Sequence, residues 1–346
     1  MTEKDRDYKL LCLVLSRMTF LTTFEKLNLI KKLDSLNNLM VLSIEEISTI
    51  IGRKSRARWD GKLFLNQARQ DLYIITKFQI SMVLYTDKEY PALLREISDP
   101  PFLLFYRGNI DFLSKFCISV VGTRRMTSDA AISCVEFAHS ACLDGTNIIS
   151  GLAFGIDRKA HEGALKAFDE SSDKNIAGKT AAILPGAIDN IIPEGNRKLA
   201  QRILESGGCL ISEYAPGEEA MPYRFVQRNR IIAGLSSTTV VIQAPPGSGA
   251  MHTADFALGY NREVMFHKAA FSESSMKISS IVRRQLSLQA DKGSTEEKKL
   301  RMDPKLFVQD GAPIIENYAD CLRCLSEAPE KRNCTQANTN LLTLFD

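Results

Sequence analysis

Four turns that contain glycine are the part of this sequence best suited to hold a ligand, because each directly follows a short apolar run rich in β-branched residues. Glycine lets the backbone approach a bound group closely. A helix that begins after such a turn presents unpaired N–H groups and a dipole that favours an anion. The turns predict a phosphate site, and its candidates are Gly122, Thr123, Gly151, Gly155, Gly247, Ser248 and Gly249.

Arginines accompany these turns. Arg124 lies in the first turn, and Arg228 and Arg230 flank Asn229 just before an apolar segment. The guanidinium group is a planar fork that matches phosphate oxygens. We therefore expect these arginines to add positive charge to the site, although an exposed helix face explains Arg228 and Arg230 equally well.

Several kinds of catalysis find no support in the sequence. No Gly-Lys-Ser/Thr follows a glycine at P-loop spacing and no Gly-x-Gly-x-x-Gly follows the first expected strand, which argues against ATP hydrolysis and dinucleotide redox chemistry. None of the four histidines lies in a recognisable nucleophile motif. Cys321 and Cys324 have the spacing of metal ligands, but no second pair accompanies them, so we expect no metal site.

Three carboxylates are expected near the turns and could serve as an acid or a base. They are Asp157, Asp189 and Glu213. Helix capping explains the two aspartates equally well. Both interpretations stay open at the level of the sequence.

The turns must be positioned by a sheet, because short β-branched runs alternate with helical stretches from residue 117 onward. This alternation predicts βα units, an α/β fold and a parallel sheet. All βα turns of such a sheet emerge at the carboxyl edge of the strands, so the four turns should converge on one crevice. The expected strands are Cys117–Val121, Asn147–Ser150, Thr180–Leu184, Cys209–Ser212, Thr238–Gln243 and Glu263–His267.

The rest of the chain predicts two domains and a tail. Residues 1–85 have apolar positions at helical spacing and form a small helical domain, whereas 86–330 hold the sheet and 331–346 are a tail. Residues 86–115 are expected to be loop-like, because prolines bracket their short apolar runs. The charged segment 271–303 interrupts the βα rhythm and is interpreted as a mobile insertion. The basic stretch 53–58 is either a phosphate-contacting turn or a solvated helix end.

Composition restricts the function classes further. The 346 residues include 44 Lys plus Arg and 41 Asp plus Glu, a net charge of +3 that is too small for bulk attraction to a polyanion. No apolar stretch approaches the roughly 20 residues that cross a bilayer, and the N-terminus lacks the apolar segment of a signal peptide. We expect a cytoplasmic protein without a membrane partner, and reduced thiols for its eight cysteines.

The ordered set of motifs resembles the DNA-processing family known as DprA or Smf. The resemblance covers about residues 86–325, and the whole series is specific where each piece is not. The matching segments are Val121–Arg124, Ser150–Asp157 with Ala160 and His161, Pro193 with Asn196, Ser212–Tyr214, Phe225 with Arg228–Ser236, and Ser248–Ala250 with Thr253 and Ala254.

The resemblance implies an extended Rossmann-like, doubly wound sheet with a small helical N-terminal domain like a sterile-alpha-motif module. It implies binding of single-stranded DNA without sequence preference, protection of incoming DNA in natural transformation, and loading of the RecA recombinase. It further implies a homodimer. Our first interpretation of the sequence is a binding protein without catalysis and without a cofactor. The family's basic pocket corresponds to Arg124, and its signature segment contains Arg228 and Arg230.

Departures from the family pattern concern the rim of the site. Gln243-Ala244 stands where the family has Glu-Ala, and His267-Lys268 stands where it has Pro-Gly. A second hypothesis is a nucleotide-binding enzyme similar to the lysine-decarboxylase-like phosphoribohydrolases, because Pro246–Ala250 resembles their phosphate turn. Those enzymes carry a glutamate after the turn, and only Asp255 could replace it here.

Overall fold

The computed structural model of the chain describes residues 3–33 and 35–327. The expected tail at 331–346 and the last three residues of the expected second domain lie outside them. The α-helices of this part of the chain are α1 (Glu3–Arg17), α2 (Thr23–Leu33), α3 (Leu36–Met40), α4 (Ile44–Ile51), α5 (Gly61–Lys77), α6 (Ala92–Arg95), α7 (Ser128–Leu143), α8 (Ile156–Glu170), α9 (Arg197–Glu205), α10 (Pro222–Gly234), α11 (Gly249–Gly259), α12 (Glu273–Gln289), α13 (Thr295–Arg301), α14 (Pro304–Gln309) and α15 (Tyr318–Ser326).

One mixed sheet organises the molecule. Its strands are β1 (Ser81–Leu84), β2 (Leu103–Gly108), β3 (Cys117–Gly122), β4 (Asn147–Ser150), β5 (Thr180–Ile183), β6 (Cys209–Ser212), β7 (Thr238–Gln243), β8 (Glu263–His267) and β9 (Ile314–Ile315). Their order across the sheet is β1-β2-β6-β5-β4-β3-β7-β8-β9. The run from β6 to β9 is parallel, whereas β1 and β2 are antiparallel to their neighbours.

The α/β fold class and the six expected strands are confirmed, with two strand ends displaced by one residue. Strand β3 shows why the sequence predicts them well. Val121 packs in one apolar cluster with Met251 of α11, and Val120 packs in another with Phe137 of α7, so helices cover both faces of the sheet. A parallel strand buried on both faces needs a continuous apolar run.

The expectation that residues 86–115 are loop-like is wrong for β2. Leu103, Leu104 and Phe105 are all buried, and Phe105 is in register with Met82 of β1. The two prolines at 100 and 101 come before the strand instead of interrupting it. Strand β1 also begins before the expected domain boundary at residue 85.

The strand order reverses between β3 and β7. Strands β4, β5 and β6 follow β3 on one side, and the chain then returns to place β7 on the other side of β3. Ligands of open parallel sheets bind outside the carboxyl ends of the strands at such a switch point. The turns that follow β3 and β7 therefore lie where a ligand is expected.

The N-terminal helices form the expected helical unit, but their apolar core continues under the sheet. Leu13 of α1 belongs to the same buried cluster as Ala182 of β5 and Leu210 of β6. Helix α5 is held against α1 by a bidentate ion pair in which Arg17 Nε and Nη2 each lie 2.6 Å from an Asp71 oxygen. The division into domains stays a prediction.

The segment 271–303, expected to be a mobile insertion, contains helices α12 and α13. Ser272 caps α12 by accepting from the Ser275 N–H at 3.3 Å, and Arg283 of α12 pairs with Asp303. The charged composition gave no helical pattern of apolar residues in the sequence, because most residues of these two helices face solvent and only a few pack against the protein. The mobility of the segment stays a prediction.

Within the described residues we find neither a membrane-spanning helix nor a disulfide. No helix there is long and apolar enough to cross a bilayer. Every cysteine in the same ranges is buried and none forms a disulfide.

Candidate functional site

A cleft of about 770 Å³ opens at the switch point between β3 and β7. It is bounded by the turns after β3, β4 and β7, by one side of α10 and by α12. Seven of the twelve predicted site residues line it, together with Arg125, Asp157 and Phe225. Those seven are Gly122, Thr123, Arg124, Arg228, Asn229, Ser248 and Gly249.

The turn after β3 presents Arg124 to the cleft. The Thr123 N–H donates to the Gln243 carbonyl at 2.7 Å, and Thr123 Oγ1 accepts from the Arg125 N–H at 3.2 Å, so both the backbone and the side chain of Thr123 define the turn. Arg124 is exposed, and its Cζ lies 5.0 Å from the centroid of the Phe225 ring. Stacking on an aromatic ring orients a guanidinium without neutralising it. Arg124 therefore remains available to an anion.

The N-terminus of α11 forms the facing wall. Ser248 occupies the N-cap position, but no side chain accepts from the first turn, and the buried Ser248 Oγ has no hydrogen-bond partner among the described residues. Asn229 of α10 donates to the Gly249 carbonyl at 2.9 Å, which anchors this helix end. Unpaired N–H groups at a helix start favour a bound anion.

Arg228 lies under the floor of the cleft and is only 3% exposed. Its Nη1 donates to the Gly151 carbonyl at 2.7 Å and also to the Ile183 carbonyl. Burial lowers the pKa of Arg228 to about 10, against the opposing attraction of Asp157, so the side chain is still charged at neutral pH. Burial raises the pKa of Asp157, although Arg228 and backbone N–H groups oppose this.

Two glycines allow the turns to approach one another. A Cβ at Gly151 would overlap the Arg228 guanidinium. Gly155 has a φ of +83°, and a Cβ there would overlap the backbone of Thr123 and Arg124. These glycines thus serve the packing of the turns, and neither lines the cleft.

Asn196 is fully buried beneath the turn after β4 and does not reach the cleft. Its Nδ2 donates at 2.8 Å to the carbonyl of Leu152, whose φ is +57°. A left-handed backbone at a leucine is costly and needs support from its surroundings. Asn196 provides such support.

Arg230, on the same helix as Arg228, lies in a different cavity. This cavity of about 190 Å³ is also lined by Lys26 and Glu213. Arg230 Nη2 lies 2.7 Å from Glu213 Oε2, and Nε lies 3.1 Å from Asp99 Oδ2. Burial opposes the charge, yet the two carboxylates raise the pKa of Arg230 overall. The structure therefore does not bring Arg230 together with Arg124.

Gly247 lies between Pro245 and Ser248, which both line the cleft, but does not line it itself; it adopts a φ of +67° beside Lys299. Phe154, Tyr214 and Tyr223 are aromatic residues close in sequence to the turns and to α10, but they do not line the cleft. Phe225 does. Its position before Arg228 in the α10 segment was the available signal.

Two further features of the rim come from α12. Ile278 and Val282, four residues apart, supply an apolar side of the cleft. Gln243, which departs from the family pattern, accepts from the Thr127 N–H at 2.9 Å and donates to Ser275 Oγ at 2.7 Å. It thereby joins the first βα turn to α12.

The candidate acids and histidines do not assemble into a catalytic group. Glu213 pairs with Arg230, and Asp189 accepts from the Gly217 N–H at 3.1 Å. His161 is buried against Thr180, and His139 lies on α7 and pairs with Glu170. No cluster of metal-ligating side chains occurs among residues 3–33 and 35–327.

A mostly parallel sheet covered by helices on both faces defines a Rossmann-like protein, and arginines and a helix N-terminus at its switch point are groups suited to an anion. The family model described as DNA recombination-mediator protein A matches residues 81–289. The chain belongs to this family, the one its motifs resemble.

Several relatives support the assignment. The chain is 33% identical over 262 residues to protein Smf of Borreliella burgdorferi, covering 75% of this chain and 79% of that protein. It is 38% identical over 178 residues to the DNA processing protein DprA of Streptococcus pneumoniae, a match that covers 51% of this chain and 59% of that protein. Some relatives are therefore covered over less than two thirds of their length.

Solved structures agree with the fold. The X-ray structure of DprA from S. pneumoniae matches with a TM-score of 0.63 and 28% identity, covering 89% of this chain and 95% of that one. DNA processing protein A from Helicobacter pylori, whose structure describes a single-stranded DNA binding mode of that protein, matches with a TM-score of 0.53 and 24% identity. The latter covers 71% of this chain and 95% of that one and shows the fold.

Proposed function

We propose that this protein binds single-stranded DNA through the cleft between β3 and β7, without sequence preference. The observation that carries the proposal is the exposed Arg124 opposite the uncapped N-terminus of α11. Both groups recognise phosphate, which every nucleotide shares, and neither reads a base edge. Phe225 lines the same cleft and offers an aromatic surface on which a base can stack.

The charges that line the cleft favour the binding of a polyanion. Arg124, Arg125 and Arg228 line it, and Asp157 is the one carboxylate among the described lining residues. Single strands also expose their bases to apolar side chains such as Ile278 and Val282. A cleft with a cationic side and an apolar side fits a strand whose phosphates and bases point in different directions.

We propose that binding is not accompanied by catalysis. The alternative enzyme needs an acid shortly after the phosphate turn, and only Asp255 was available in the sequence. Asp255 is exposed and borders another cavity with Leu258 and Arg262, on the far side of α11 from the cleft. This placement disfavours a phosphoribohydrolase.

Membership of the family supports a proposal for the cellular role. We propose that the protein is cytoplasmic, acts as a homodimer, protects incoming DNA in natural transformation and helps load RecA recombinase onto it. A passive phosphate-binding cleft suits protection and transfer, because the strand is held without being cut.

Fluorescence anisotropy of a labelled single-stranded oligonucleotide, with a salt series and a duplex competitor, tests the proposal. We expect single strands to bind in preference to duplex, and log affinity to fall with log salt by about 0.7 per neutralised phosphate. Binding that does not change with salt contradicts a phosphate-dominated cleft. Release of free base from a nucleoside monophosphate would instead favour the enzyme.

A further inference from the structure

The N-terminal helices carry a concentration of positive charge that the cleft does not include. Residues 53–77 contain seven Lys or Arg and two Asp, a net charge of +5, whereas the whole chain has +3. One of the two aspartates, Asp71, is 1% exposed and paired with Arg17. The exposed surface is therefore more basic than the composition suggests.

The segment between α4 and α5 turns its cations to one side. Exposure alternates along it, and the exposed cations are Lys54, Arg56 and Arg58. The residues between them are held inward, because the Ser55 N–H donates to Ser48 Oγ at 3.0 Å and Trp59 Nε1 donates to the Leu42 carbonyl at 2.9 Å. The cationic side chains thus share one outward-facing row.

Helix α5 continues this surface with a polar stripe. Residues spaced three and four apart share one face of a helix. The stripe consists of Lys62, Asn66, Arg69, Tyr73 and Lys77, all exposed. Ala68, Asp71 and Ile75 are buried on the opposite face. No carboxylate interrupts the stripe, and Tyr73 is 66% exposed.

The cations of this surface are not neutralised within the described chain. Arg53 pairs with Glu25 and contributes no free charge. Arg56, Arg58 and Arg69 form no ion pair or side-chain hydrogen bond with any residue of 3–33 or 35–327, and all three are exposed. Asp60, which caps α5, is the one exposed carboxylate within residues 53–77. Several unpaired cations beside a single acid create a positive potential that an extended polyanion can follow.

We propose that this N-terminal basic surface, residues 54–58 and the exposed stripe of α5, binds the phosphate backbone of DNA as a second contact beyond the cleft. The inference rests on the proposed function of the cleft, but it assigns a different surface. A row of cations with one exposed aromatic ring matches single-stranded DNA, whose phosphates and bases are both accessible. The partner is a nucleic acid because the surface combines guanidinium forks with a stacking ring.

The test compares the slope of log affinity against log salt for a long single-stranded oligonucleotide. The variant is Arg56→Ala/Arg58→Ala/Arg69→Ala, made alone and together with Arg124→Ala. A matched control, Lys166→Ala/Arg202→Ala/Lys277→Ala, removes three cations that are paired with Glu170, Asp169 and Glu273. All six side chains are exposed, and circular dichroism checks that each variant folds.

We expect the N-terminal variant to reduce the slope by about 2, three phosphates at about 0.7 each, while the control keeps the wild-type slope. The same reduction should occur in the Arg124→Ala background. A wild-type slope in the N-terminal variant overturns this inference and leaves the cleft untouched. The opposite pattern, a reduced slope in the N-terminal variant and a wild-type slope in Arg124→Ala, supports this surface and overturns the proposed role of the cleft.

Two other outcomes also decide against the inference. A wild-type protein that binds no DNA overturns both proposals. Binding of a polyglutamate peptide that depends on Arg56, Arg58 and Arg69, with DNA affinity unchanged, identifies an acidic protein as the partner of this surface.

Discussion

The Nη1 atom of Arg228 lies 2.7 Å from the carbonyl oxygen of Gly151, which is 77 residues away in the sequence. Arg228 therefore joins α10 to the turn after β4 and supplies charge beneath the cleft, whereas Arg124 is exposed at the rim. The two arginines line the same cleft but should respond differently to substitution.

Arg124→Ala should weaken DNA binding and leave stability unchanged. A charge-assisted hydrogen bond contributes about 1.5–3 kcal/mol, so we expect affinity to fall about 10- to 100-fold. Anisotropy titration measures the affinity and urea unfolding measures the stability. The control is Arg202→Ala, because Arg202 pairs with Asp169 and does not line the cleft. Equal affinities for the two variants would argue against Arg124 as a DNA contact.

Arg228→Met should destabilise the fold. The substitution leaves two carbonyls without their donor and Asp157 without its positive neighbour, and we expect a loss of about 2–4 kcal/mol in the free energy of unfolding. Asp157→Asn in the same chain should recover part of the loss, because the uncompensated carboxylate is removed. Urea unfolding of the single and double variants measures this coupling. An unchanged unfolding midpoint in Arg228→Met contradicts the structural role.

Gly155→Ala should disturb the cleft as well as the backbone. A Cβ at this position would overlap the backbone of Thr123 and Arg124, in addition to the strain of a φ of +83°. Gly217 has a φ of +76° with open space around it, so Gly217→Ala isolates the strain, which is about 1–2 kcal/mol. We expect Gly155→Ala to lose more stability than this control and to lose DNA affinity too. Similar losses in both variants would show that contact with the first turn is unimportant.

His161 should make stability depend on pH. Burial lowers the pKa of His161 to about 3 from the ordinary 6.5, so the unfolded state binds a proton that the folded state does not. The resulting stability is present above pH 6.5 and is lost as the pH falls below it, by about 2 kcal/mol at pH 5. His161→Gln removes this titration and should flatten the difference in urea midpoint between pH 7 and pH 5. Parallel pH profiles of the two proteins would exclude His161 as the cause.

Local patterns in the sequence were sufficient for the parallel strands and for the turns that surround the cleft. Five of the six residues of Thr238–Gln243 are apolar or β-branched, because both faces of the strand are buried. Glycine at positions such as Gly155 reports a backbone conformation that other residues rarely adopt. These signals are local, since they depend on the residue itself and its immediate neighbours.

Strand β2 and helix α12 were missed for an opposite reason. The prolines shortly before Leu103 and the charges around Ile278 are not typical of a strand or of a buried helix. Both β2 and α12 are stabilised by packing against the rest of the molecule. Secondary structure that depends on tertiary contacts has weak local signals.

The sequence by itself determined the α/β class, the carboxyl-edge location of the site and Arg124 as its candidate cation. Only the tertiary structure decided the environments of Arg228 and Arg230, two residues apart on one helix. Arg228 meets Gly151, and Arg230 meets Asp99, which is 131 residues away. The charge available to a ligand depends on such distant partners, because a nearby carboxylate or carbonyl satisfies a guanidinium regardless of its place in the chain.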